Sequence, residues 1–222
     1  MGVGAIFLDR DGVLNENRRD HVTSWREFAF LPGVHQALRQ LASLGLPIIV
    51  VTNQAIVNRG IASRAAVEAI HQRMVAELRD SGGQIDAVRY CPHHQGEQCD
   101  CRKPSPGMLL DAAAEFDIDL SHSILVGDAA TDVLAGKRAG CQTVLVLTGR
   151  GREALASLQH QPAAIPDVVS RDLLSAVPII TARLTSVPTL VACDADLLVT
   201  NGVLRDQAAP LVATETEPAY IS

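Results

Sequence analysis

An α/β fold, with a parallel sheet covered by helices on both faces, follows from three features of this 222-residue chain. Short apolar runs rich in branched residues alternate with longer segments of helical period. The runs are apolar throughout, as expected of strands buried on both faces. Proline or glycine punctuates most boundaries, at Pro32-Gly33, Gly45, Gly82-Gly83, Pro104 to Gly107 and Gly140. Units of this kind pack as one sheet joined by right-handed crossovers.

In chain order, the first strand is predicted over 5–8 (AIFL). A helix over 33–44 follows, where Val34, Leu38, Leu41 and Leu44 recur at spacings of three and four and so share a face. Branched runs predict strands over 47–52, 87–90, 123–127 and 143–147. Helical segments lie between them, over 63–81, 106–116 and 131–139. After about residue 150 the pattern weakens. A turn at 149–151, a short helix over 153–158 and a proline-bearing loop come first. A closing helix over 172–184 follows, which Pro178 is expected to interrupt. Residues 189–200 look strand-like, and the last dozen form a polar tail. The expected division is a domain over 1–170 and a C-terminal extension over 171–222, with no internal repeat.

Composition excludes several classes of function. At 47% hydrophobic content the chain can bury one sizeable core. A formal charge of -6 argues against non-specific attraction to nucleic acid or anionic membranes, so phosphate would need a local site. No stretch has the length and apolarity of a spanning helix, and no secretory leader is read at the start. The expectation is a soluble cytoplasmic protein, a monomer or weak homo-oligomer, without nucleic-acid or membrane partners. Cys141 and Cys193 are isolated, whereas Cys91, Cys99 and Cys101 lie within eleven residues beside His93 and His94. In a reducing compartment such a cluster points to a metal site rather than to disulfides.

Ligands on parallel sheets bind beyond the carboxyl ends of the strands. Polar residues stand there in FLDRDG (Asp9 and Asp11), VVTNQ (Thr52 and Asn53) and LVGDAATD (Asp128 and Asp132), and Lys103 joins them from a loop. A carboxylate at a strand end can attack phosphorus, and a second one nearby can exchange protons with the leaving group and with water. Attack by an anion on an anion needs charge neutralisation, which Mg2+ would supply, with Asp9 and Asp128 as suitable ligands and a backbone carbonyl, that of Asp11, as a candidate third. Taken singly, each stretch could be an ordinary turn or helix cap. All four in this order could not.

These motifs strongly resemble the haloacid dehalogenase (HAD) superfamily of phosphohydrolases over residues 4–150. The resemblance implies Asp9 as nucleophile, Asp11 as general acid/base, Thr52 as a phosphoryl-binding hydroxyl, Lys103 as electrostatic stabiliser and Asp128 as a Mg2+ ligand. CPHHQGEQCDCRKPSPGML is similar to the zinc loop of the branch holding histidinol phosphatases and heptose bisphosphate phosphatases. Cys91, His93, Cys99 and Cys101 would complete a tetrahedral shell for a structural zinc. The choice of His93 over His94 follows the resemblance, since either spacing is sterically open.

Residues 53–102 are filled by a helix, a strand and this loop, and 14–30 are too few for a domain, so no large cap is expected over the site. Selectivity would fall to short loops. Arg59 and Arg102 suit a sugar carrying two phosphates, with Asn53 as a further substrate contact, and favour a heptose bisphosphate, cleaved at C7 in this branch. The alternatives are histidinol phosphate or another small sugar phosphate, a phosphotransferase or phosphomutase sharing these motifs, and a non-catalytic phosphate-binding domain. Ala129 and Ala55-Ile56 depart from commoner residues of the family, which bears on the substrate rather than on the core chemistry. Asp194 and Asp196 echo the opening motif, but too little chain follows to supply partners, and they are read as a turn.

Overall fold

A computed structural model describes residues 2–158 and 164–185, together with the backbone of 199–200 and 203–204. The first unit of the chain holds six strands: β1 (Ile6–Leu8), β2 (Ile48–Asn53), β3 (Ala87–Cys91), β4 (Ile124–Gly127), β5 (Gln142–Val146) and β6 (Val168–Ser170). They form a fully parallel sheet in the order β3-β2-β1-β4-β5-β6. The strands that carry the polar residues at their ends, β1, β2 and β4, are therefore adjacent at its centre. The predicted α/β class holds.

Among the described residues, six α-helices cover the sheet: α1 (Val34–Ala42), α2 (Arg64–Asp80), α3 (Gly107–Phe116), α4 (Ala130–Ala139), α5 (Gly151–Leu158) and α6 (Leu173–Thr185). Alternate strand residues divide between two cores, because successive side chains point to opposite faces. Ile6, Leu8, Ile48, Val50, Ile124 and Val126 pack with α1, α2 and α6. Phe7, Ile49, Val51 and Leu125 pack with α3 and α4. Ser63 caps α2 by accepting the Ala66 N–H at 3.1 Å. No domain is inserted between β1 and α1, where the chain makes only a loop and one turn of 3-10 helix at Trp25–Glu27, nor between β2 and α3.

Two features differ from expectation. Strand β6 lies in the stretch predicted as loop; three residues beside a proline carry too little pattern to announce an edge strand. Helix α6 runs unbroken through Pro178. Its missing donor costs about 3 kcal/mol. Burial of Leu173, Val177 and Ile180 against the core, at about 1.5–3 kcal/mol per side chain, outweighs that loss. Strand β6 and helix α6 join the sheet and core, so the described residues through Thr185 belong to the first unit. In the second unit, β7 (Val199–Thr200) and β8 (Val203–Leu204) pair antiparallel. Most of the strand expected over 189–200, with Asp194 and Asp196, lies outside the described residues. Among the described residues no helix is long and apolar enough to cross a membrane.

Candidate active site

Past the end of β1 the chain stays in register for one more residue, the Asp9 N–H donating to Val126 O at 2.9 Å. It then turns sharply. The N–H groups of Leu14 and Asn15 both return to Arg10 O, at 2.8 and 3.1 Å. Gly12 has φ +90°, and a Cβ there would lie 2.0 Å from Asp128 Oδ2, so only glycine fits. That close approach lets the aspartate after β4 stand beside the one after β1.

Lys103 comes from the loop before α3 and is 2% exposed. Its Nζ lies 2.9 Å from Asp9 Oδ1 and 2.6 Å from Asp132 Oδ1, and donates to Val51 O at 2.7 Å. Three acceptors thus surround an ammonium with three protons. Burial alone would lower the pKa of Lys103, but the attraction of Asp132 and Asp9 outweighs it and the net direction is upward. Asn53 fastens the backbone of this lysine. Its Oδ1 accepts the Lys103 N–H and its Nδ2 donates to the Lys103 carbonyl, each at 3.0 Å.

Carboxylate oxygens of Asp9, Asp128 and Asp132 lie within 4.8 Å of one another, and all three residues are buried. One ammonium does not neutralise three carboxylates. Burial pushes Asp9 up to about 7, against the pull of Lys103 and with repulsion from Asp132 and Asp128 added. Burial, followed by repulsion from Asp132, pushes Asp128 up to about 6. Asp128 Oδ2 accepts the Arg150 N–H at 2.8 Å and Asn17 Nδ2 at 3.4 Å, whereas its buried Oδ1 has no donor. Uncompensated buried negative charge, an orphaned carboxylate oxygen and an all-oxygen donor set fit a Mg2+ ion.

Asp11 stands apart from this cluster. Arg10 Nη2 donates to its Oδ1 and Oδ2 at 3.0 and 2.8 Å, Asn15 Nδ2 to Oδ1 at 2.9 Å and Gln54 Nε2 to Oδ2 at 2.8 Å. Burial would raise its pKa, but Arg10 and these hydrogen bonds hold it below the usual carboxylate value. The third carboxylate of the cluster is therefore Asp132, and any metal contact of Asp11 falls to its backbone carbonyl. Gln54 Nε2 also donates to Thr52 Oγ1 at 3.0 Å, leaving the Thr52 proton for another acceptor.

The other predicted contacts are distributed differently. Asn53 spends its carboxamide on Lys103 rather than on the pocket. Arg102 Nη1 donates to His93 O at 2.9 Å, and Arg59 is exposed. Sequence reasoning gave no role to Arg10, Gln54 or Asn17, and it placed a turn at 149–151 without foreseeing that its Arg150 N–H reaches Asp128. Only Arg10 carried a signal, a cation between two aspartates where little solvent reaches.

A second cluster stands after β3. Cys91 Sγ lies 3.8 Å from Cys99 Sγ and 3.5 Å from His93 Nδ1, while Cys101 Sγ lies 3.7 Å from Cys99 Sγ and 3.3 Å from His93 Nδ1. A tetrahedron with metal–sulfur bonds of about 2.3 Å has edges of about 3.8 Å, so the donor set fits zinc. Of the two candidate histidines, His93 joins the thiols. His94 instead accepts the Gly96 N–H through Nδ1 at 3.0 Å, and its own N–H donates to Glu97 Oε2 at 2.6 Å. Burial pushes the Cys91 thiol up, opposite to what a ligand thiolate needs without its metal.

Comparison with known proteins agrees with this geometry. A family model described as HAD-hydrolase-like matches residues 100–173. D-glycero-beta-D-manno-heptose-1,7-bisphosphate 7-phosphatase of Bordetella bronchiseptica is 42% identical over 151 residues, 68% of this chain and 84% of that protein. The protein of the same name from Rhodopseudomonas palustris is 45% identical over 144 residues, 61% and 79% of the two chains. The crystal structure of D,D-heptose 1,7-bisphosphate phosphatase from B. bronchiseptica, complexed with magnesium and phosphate, superimposes with a TM-score of 0.75 at 38% identity. That match covers 80% of this chain and 98% of the other. The chain is a HAD-like phosphatase and belongs to the D-glycero-beta-D-manno-heptose-1,7-bisphosphate 7-phosphatase family.

Proposed function

We propose that this enzyme removes the C7 phosphate of D-glycero-β-D-manno-heptose 1,7-bisphosphate in two steps, through an aspartyl-phosphate on Asp9. The observation that carries the reading is Asp9 itself, a strand-end carboxylate 2.9 Å from a buried lysine and clustered with Asp128 and Asp132.

In the first step an Asp9 oxygen attacks phosphorus, the bond from phosphorus to the sugar oxygen breaks, and that oxygen takes the proton of the Asp11 carboxyl. In the second, water attacks the aspartyl-phosphate, its proton passes to Asp11, and the bond to Asp9 breaks to release phosphate. Asp11 rests as a carboxylate, so it gains its proton as the substrate arrives, whose negative charge favours the protonated form. Lys103 stabilises the charge on the transferring group, and the Thr52 hydroxyl donates to it. Bound by the side chains of Asp9 and Asp128 and the carbonyl of Asp11, Mg2+ supplies the neutralisation that joining two anions requires.

The substrate follows from the named relatives, with exposed Arg59 and the Arg102 guanidinium, one nitrogen of which holds His93 O, as candidates for a second phosphate. The Cys91, His93, Cys99 and Cys101 cluster is a closed structural zinc site. Cysteines kept as metal ligands rather than disulfides suit a reducing compartment, which supports a cytoplasmic reading.

Steady-state kinetics on both anomers of the heptose bisphosphate, fructose 1,6-bisphosphate and histidinol phosphate test the reading. The β anomer is expected to give the highest kcat/KM, in a reaction that needs Mg2+. Replacement Asp9→Asn is expected to lower kcat on the order of 10⁴-fold or more. A preference for histidinol phosphate would overturn the substrate, and an unimpaired Asp9→Asn enzyme would overturn the mechanism.

A further inference from the structure

Arg10 is 1% exposed, yet its guanidinium does not face the carboxylate cluster. Nη2 spans both oxygens of Asp11, and Nη1 lies 3.0 Å from Nε2 of His71 on α2. A guanidinium can only donate, so His71 Nε2 accepts and the imidazole proton sits on Nδ1. His71 is 5% exposed, and burial followed by the charge of Arg10 pushes its pKa down to about 3. It is a neutral acceptor at any working pH. Its ring meets Tyr90 edge to face, with centroids 5.3 Å apart. The Tyr90 hydroxyl donates to Glu68 Oε1 at 2.8 Å and accepts from Arg64 Nη1 at 3.0 Å. The brace thus runs from Asp11 to the surface of α2.

Stability alone does not account for this arrangement. Well-packed apolar side chains often replace a buried ion pair without loss, and Arg10 Nε is left buried without a partner. What the contacts do determine is where Asp11 points. We propose that Arg10 and His71 are positioning residues for proton transfer by Asp11, His71 bracing the guanidinium that fixes the Asp11 carboxyl. The inference rests on the reading of Asp11 as acid/base. Proton transfer needs a donor within hydrogen-bond reach of the leaving oxygen, so a loosened carboxyl slows that step selectively.

Leaving-group dependence tests it. Cleavage of a sugar phosphate needs a proton from Asp11, whereas p-nitrophenolate leaves without one, and kcat/KM reports the cleavage step in both. His71→Phe keeps the ring size but removes the acceptor. It is expected to lower kcat/KM on the heptose bisphosphate about 10- to 100-fold. On p-nitrophenyl phosphate it is expected to stay within about twofold of the parent enzyme. His71→Gln, whose Oε1 can accept from Arg10, should restore most of the loss. Asp11→Asn, run alongside, should lose about 10²- to 10⁴-fold in kcat/KM on the sugar substrate and far less in kcat/KM on the aryl one, while kcat falls on both because Asp11 also takes the proton of the attacking water. Equal losses in kcat/KM on both substrates for Asp11→Asn overturn the acid/base reading itself. A selective Asp11→Asn loss with no loss, or an unselective one, in His71→Phe overturns the positioning role. Should His71→Phe not fold, Arg10→Lys decides: it keeps the charge without the fork, and anything but a selective loss on the sugar substrate overturns the proposal.

Discussion

The two polar clusters of this molecule are built in opposite ways. Asp9, Lys103, Asp128 and Asp132 come from three separate stretches of chain, are at most 6% exposed and meet only because β1, β2 and β4 are neighbours at the sheet centre. Cys91, His93, Cys99 and Cys101 lie within eleven residues and are, except for Cys91, partly exposed. The first cluster is held by topology and carries unbalanced charge. The second gathers its four donors from one short loop, which a zinc ion would tie together under the proposed reading. Perturbing the first should disturb charge and folding together, whereas perturbing the second should act locally and reach catalysis only through Lys103.

The largest effect is expected from Lys103→Met. It leaves three buried carboxylates without their cation, and stripping one partner from a buried ion pair costs roughly 3–5 kcal/mol. Chemical denaturation in a chelating buffer should show that loss, and Mg2+ should recover part of it. Unchanged stability would mean that water already screens the cluster.

A smaller and more local effect is expected for the loop. Metal analysis should find about one zinc per chain. Cys101→Ser should release it and lower kcat about 10- to 100-fold by loosening Lys103, with the helical circular dichroism preserved. Full activity and unchanged stability without zinc would separate the two clusters entirely.

The smallest effect is a pH-dependent response to Mg2+. Asp9 and Asp128 have folded-state pKa values raised to about 7 and about 6, against an ordinary 3.8. Between those limits the folded state holds more protons than the unfolded one, so without metal this contribution to stability is lost as pH rises from about 4 to about 7. The rise in Tm on adding Mg2+ should therefore grow from pH 5 to pH 8. A constant increment would show that these carboxylates do not share the ion.

Much of the site was legible because its chemistry is attached to strand ends. Apolar runs located β1, β2, β4 and β5 to within two residues, and the rule for parallel sheets then gathered Asp9, Thr52 and Asp128. Strand β6 escaped because a three-residue edge has almost no pattern. Pro178 misled because local propensity cannot weigh the burial of Val177 and Ile180. Asn53 was assigned to the substrate although it fastens Lys103, and the choice between His93 and His94 stayed open, since spacing alone does not orient a side chain.

By itself, the sequence determined the α/β class, the strand-end carboxylates and the soft-ligand loop, because hydrophobic period and donor chemistry are properties of short stretches. The tertiary structure decided that Asp132 rather than the Asp11 side chain completes the carboxylate cluster, and that Asp11 is held through Arg10 by His71. Those partnerships join residues as much as 123 positions apart, Asp9 to Asp132, and such distances close only when the sheet orders its strands and buried charge must find its partners.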